Sequence, residues 1–121
     1  MTAEAAMVLP LLLAVTAAMT WLLVVGLAQL RATDAAREAA RVLARGESPA
    51  VAEGLVSDVG PDGAVLHTTA GGGTVVVTVT ATVRGPGGLL AHVPGADVHA
   101  EATAALEDAG GASGPVPVPA P

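Results

Sequence analysis

The chain has 121 residues, a net charge of −6 and no cysteine, so it can form one small domain at most and no disulfide, thiolate metal site or cysteine nucleophile. All five cations are Arg, and the only aromatic residue is Trp21. An acidic chain with neither a basic patch nor stacking aromatics is a poor nucleic-acid binder. Any core must be built from Val, Leu and Ala, which pack well in sheets and helices and make poor ligand pockets; no cofactor and no small-molecule substrate is expected.

The first segment, residues 1–30, reads as a transmembrane helix. From Ala5 to Ala28 there is no ionisable side chain, and Leu, Val, Ala and Met dominate. As a helix this run spans roughly 36 Å, enough to cross a hydrocarbon core of about 30 Å. Pro10 removes one internal hydrogen bond and favours a kink, which membrane helices tolerate better than soluble ones. A cleaved secretory signal is the alternative, with Gly26-Leu27-Ala28 as the small-residue site. Against it, the start carries Glu4 and no cation, the reverse of a signal n-region.

Residues 31–60 form an amphipathic helical segment. Helix formers continue from Gln29 to Arg45, and Gly46 is placed as a C-cap. Ala32, Ala35, Ala36, Ala39, Ala40 and Leu43, with Val42, recur at three-and-four spacing and form a stripe of small residues. Arg31, Asp34, Arg37, Glu38, Arg41 and Arg45 occupy much of the other face, where Asp34–Arg37 and Glu38–Arg41 can pair across one turn. The stripe fits packing of the helix on its own domain; close helix–helix contact in an assembly is the second reading. Ser48-Pro49 opens a short helix expected over 49–56.

In residues 61–108 the period changes to two. A short strand is expected over 64–69, a turn over Ala70-Gly71-Gly72-Gly73, and a long strand over 74–84. In the long strand Val75, Val77, Val79, Ala81 and Val83 share a buried face, opposite Thr78, Thr80, Thr82 and Arg84. Residues 85–95 read as a Pro/Gly loop. A last strand is expected over 97–107, although a helix over 101–108 also fits its Ala-rich alternation. Together these segments make a three-stranded antiparallel β-meander covered by the amphipathic helix, an α+β fold. Residues 109–121 read as a disordered Pro/Gly tail.

No catalytic constellation emerges, and a non-enzyme is expected. His67, His92 and His99 lack metal-ligand spacing and read as solvated or half-buried. Neither Gly71-Gly72-Gly73 nor Gly85-Pro86-Gly87-Gly88 opens a helix or precedes a Lys, so neither is a phosphate loop. Ser113 belongs to the tail, and Glu107-Asp108 are solubility charges. Glu4 is the exception: it directly precedes the apolar run, where a carboxylate is costly if it enters the bilayer.

Thr2-Ala3-Glu4-Ala5-Ala6, followed by Leu9-Pro10-Leu11-Leu12-Leu13, resembles the start of the TadE-like minor pilins (pseudopilins) of tight-adherence type IV pili. The block Ala35-Ala36-Arg37-Glu38-Ala39-Ala40-Arg41 and the Val/Thr alternation are similar to the same family. The resemblance implies a structural subunit that assembles through its hydrophobic N-terminal helix. Its implied partners are the membrane, other pilin subunits or the pilus assembly platform, and prepilin peptidase. In the family a basic leader ends in Gly, and a Glu at the fifth mature position neutralises a neighbour's new α-amine. That role falls on Glu4 if Met1 stands at the second mature position, with the leader encoded upstream.

Arg31, Arg37, Arg41 and Arg45 all follow the anchor, which by the positive-inside rule would hold the C-terminal part in the cytoplasm. A basic leader would reverse this and make the β-region extracytoplasmic, in a single-pass protein of the cell membrane or in a surface pilus. The competing reading is a single-pass protein whose small β-domain binds partners in an envelope or secretion machine.

Overall fold

The computed structural model describes residues 2–84 and 95–106. The first helix, α1, runs unbroken from Thr2 to Ala44 and includes Pro10. Its 43 residues make a rod of about 65 Å. It ends where Gly46 turns to φ 86°. There the Gly46 N–H donates to the Leu43 carbonyl and the Glu47 N–H to the Val42 carbonyl, the paired bonds of a Schellman cap, which require a residue tolerant of positive φ.

The second helix, α2 (Pro49–Val59), starts with Pro49 in the first turn, where a missing N–H costs nothing. The Ser48 hydroxyl makes no capping bond; the Ser48 carbonyl instead accepts from Val51 and Ala52. α2 folds back on α1 and buries Ala52 and Val56. It runs three residues beyond the expected Val56 and stops at Gly60-Pro61, since the residue before a proline is pushed out of the helical region.

Three strands follow: β1 (Val65–Gly71), β2 (Thr74–Val83) and β3 (Ala96–Ala105). They form one antiparallel sheet in the order β1-β2-β3. The turn between β1 and β2 is shorter than the sequence reading. Only Gly72 and Gly73 lie outside the ladder, with φ of 60° and 80°. That is a type I′ turn, whose twist suits a two-residue hairpin, and it leaves Ala70 and Gly71 free to pair with Val75 and Thr74. The last segment is a strand and not a helix. Its alternation matches β2 residue for residue, with Val98 opposite Ala81 and Ala100 opposite Val79.

The core lies between this sheet and the helices. Val75, Val77, Val79 and Ala81 of β2 and Val98 and Ala100 of β3 are buried beneath α1, which packs on both strands. No polar or charged side chain is buried among the described residues. Each fully buried Val contributes about 1.5–3 kcal/mol relative to exposure, so the four largest fully buried side chains, Val56, Val75, Val77 and Val79, carry much of the stability of the head, the unit formed by the C-terminal half of α1, α2 and the sheet. Residues 85–94 of the expected loop over 85–95, with His92, the pair Glu107-Asp108, and the tail with Ser113 lie outside the described residues.

Candidate assembly surface

The small-residue stripe has a clear location. Ala32, Ala35, Ala36 and Ala39 are fully buried, Ala40 and Leu43 nearly so, within the cluster that contains α2 and the inner face of the sheet. With only a methyl group at each of the five alanines, α1 can approach α2 and the sheet closely. Gly60 extends the same logic. A Cβ added there would stand 3.4 Å from the Ala35 Cβ and 2.7 Å from the Val56 carbonyl oxygen.

The N-terminal half of α1 is the opposite case. The apolar window, with a mean hydropathy of 2.4, has no residue buried by the rest of the chain. Met7, Leu13 and Leu23 are each more than two-thirds exposed. So continuous an apolar surface on one element needs a covering, either lipid or apolar faces of other chains. Glu4 sits in the first turn of α1, exposed. There the unsatisfied N–H groups and the helix dipole favour a carboxylate.

Between rod and head lies a junction that the sequence reading missed. The Gln29 side-chain Nε2–H donates to the His99 carbonyl at 2.7 Å, and the His99 N–H donates back to Gln29 Oε1 at 3.3 Å. The side-chain amide thus behaves like one residue of a neighbouring strand and occupies the outer edge of β3. It also ties the point where α1 leaves the apolar stretch to the edge strand β3. The only hint in sequence is its place, a polar amide directly after the Ala5–Ala28 run. A cleft of about 420 Å³ opens beside this junction, with Val24, Leu27, Arg31 and Arg84 in its lining.

The charged face of α1 is exposed. Arg41 pairs with Glu38, and Arg45 bonds Glu47 through Nη2 at 2.9 Å, a contact not anticipated. Arg37 and Asp34 are exposed and make no ion pair with each other. His67 and His99 lie on the outer face of the sheet, across from Thr78 and Thr80. Among the described residues no group of three His, Asp or Glu side chains converges to hold a metal.

Residues 1–41 match the model of the TadE-like protein family. The match covers a third of the chain. It takes in the apolar rod and most of the alanine stripe, and it stops short of α2 and the sheet. No curated protein and no solved structure matches.

Proposed function

Starting from the TadE-like segment at residues 1–41, we propose that this chain is a non-catalytic structural subunit, a minor pilin or pseudopilin of a tight-adherence type IV pilus. The observation that carries the reading is the uncovered apolar rod joined without a break to a small packed head. Leu9, Leu11, Leu13 and Leu23, each more than 60% exposed, have no role inside the monomer. In lipid they serve as an anchor; in an assembly they meet the rods of other pilin subunits or of the platform. The head, with Val and Ala inside and Thr, His and acids outside, supplies a surface and no reaction centre. On this reading the head is extracytoplasmic, and prepilin peptidase acts on a leader encoded upstream of Met1.

Glu4 is the residue to test. A carboxylate at the end of an apolar rod is stabilised when it finds a cation, and the α-amine of an adjacent subunit is a cation of the right kind. Glu4→Gln keeps size and hydrogen bonding and removes the charge. The variant, expressed from the full-length gene, is expected at normal abundance in the membrane fraction, with piliation or co-purification of other pilins reduced. Unchanged assembly would return Glu4 to an interfacial charge.

A further inference from the structure

The sheet has two edges, and the chain treats them differently. Because the Leu106 N–H bonds the Gly73 carbonyl, the even-numbered residues of β3 direct their backbone groups toward β2 and the odd-numbered ones outward. His99 is therefore an outward residue, and Gln29 takes both of its backbone groups. The same alternation carried across β2 sets the other edge. Residues 65, 67, 69 and 71 of β1 point at β2, and Leu66, Thr68 and Ala70 point their N–H and C=O groups away from the sheet.

Nothing in the described residues protects that edge. The strand Val65–Gly71 contains no Pro, Lys, Arg or acid, the usual devices against unwanted pairing. It also overhangs the helix layer. Thr68 and Ala70 are exposed although they share a face with the buried Val77 and Val75. At the other end of the strand, between its first residues and α2, runs an open groove of about 280 Å³, with Glu53, Val56 and Leu66 in its wall.

The chain carries a segment with a matching donor pattern. Residues 115–121 read Pro-Val-Pro-Val-Pro-Ala-Pro. In an extended strand each residue's N–H and C=O point to one side, and the side alternates. Every N–H missing through proline is thus lost from the same edge, and Val116, Val118 and Ala120 keep a complete opposite edge. Such a strand pairs on one side and is dead on the other, which suits the last strand of a sheet.

We propose that residues 115–121 add to β1 of their own chain as a fourth, antiparallel strand, with Val116, Val118 and Ala120 opposite Ala70, Thr68 and Leu66. In this register all three lie on the inward face, the valines over the overhang and Ala120 toward the groove beside α2, and the prolines face outward. The reach suffices. The last described residue, Leu106, sits at the Gly72-Gly73 end of the sheet. A path from there to the far side of β1 crosses three strand spacings, about 14 Å, and residues 107–114 extend to roughly 27 Å.

A second copy is the weaker occupant. Pairing β1 with β1 in antiparallel fashion needs a two-fold axis normal to the sheet, and that axis reverses the direction of α1. Two anchors would then point oppositely and could not enter one membrane.

Hydrogen exchange on the full chain in detergent micelles tests the proposal. The Leu66, Thr68 and Ala70 amides should exchange about tenfold slower or more in the intact chain than in a chain ending at Gly114. The His67 and Thr69 amides, bonded to β2 in both, serve as internal controls. Val116→Pro with Val118→Pro deletes two donors from the pairing edge and should reproduce the truncation; Pro117→Ala should leave protection in place. Equal exchange with and without the segment, or protection that survives the double proline variant, would overturn the proposal. The chain has no native cysteine, so a nitroxide on Ser113→Cys is unique. It should broaden the β1 amides of its own copy, and broadening only in unlabelled neighbours would overturn pairing within one chain.

Discussion

Adding the same methyl group at two glycines should move stability in opposite directions. Gly60 has φ −74° and ψ 176°, a conformation open to any residue, so its need for glycine is a matter of space alone. A Cβ there would lie 2.7 Å from the Val56 carbonyl oxygen, 3.3 Å from the Ala64 Cβ and 3.4 Å from the Ala35 Cβ. That oxygen also accepts the Gly60 N–H at 2.8 Å, so it cannot retreat without losing the bond that closes α2. Overpacking of this kind costs typically about 1–3 kcal/mol. Gly54 lies inside α2 with nothing within 4 Å of its added Cβ. There the change to Ala gains helix propensity and restricts the unfolded chain, a gain of about 0.5–1 kcal/mol. In thermal unfolding followed by circular dichroism in micelles, Gly60→Ala should lower Tm by roughly 5–15 °C and Gly54→Ala should raise it by about 4 °C. A Gly60→Ala chain as stable as the parent would refute the close approach of residue 60 to the Val56 carbonyl at the end of α2.

Val77→Ala removes a fully buried side chain at the centre of β2 and should cost about 2–3 kcal/mol, the transfer of two carbons plus a cavity; urea titration of the same preparation measures it. Val76→Ala, on the opposite and half-exposed face, should cost about 1 kcal/mol or less. Gln29→Ala should speed exchange of the His99 amide and leave the Val98 and Ala100 amides, which bond β2, slow. Because its two hydrogen bonds lie at an exposed edge, global stability should fall by only about 1 kcal/mol.

The period of the apolar residues made most of this fold readable. The switch from three-and-four spacing in Ala32–Leu43 to alternation in Val75–Val83 marks the change from helix to sheet, since buried faces impose those periods. Gly46 announced the end of α1 because few other residues tolerate its φ. Strand ends were less legible. The Gly71-Gly72-Gly73 run contains more glycine than the turn uses, and only the register shows that two residues suffice. β3 was ambiguous because Ala suits helix intrinsically, and pairing with a Val-rich neighbour overrides that preference. The Gln29–His99 contact joins residues seventy apart; no local pattern encodes it. Glu4 stands out by its position before the apolar run and by the family resemblance, and in the structure it is an exposed carboxylate at a helix start.

The unbroken course of α1 has a mechanical consequence. A helix with no hinge between its apolar half and its packed half transmits rotation as a shaft does. Each residue advances the helix by 100°, so the azimuth of every anchor side chain fixes the compass bearing of the head. Whichever stripe of Leu and Met a neighbour grips along Met7–Leu27 therefore decides whether the sheet, α2 or the Arg-bearing ridge faces that neighbour. One residue added within the shaft would swing the head by about 100°, whereas seven would return it to within about 20° of its starting bearing. In the proposed assembly the spacing of the anchor would thus set the handedness and pitch at which heads are displayed, without any contact between the heads themselves.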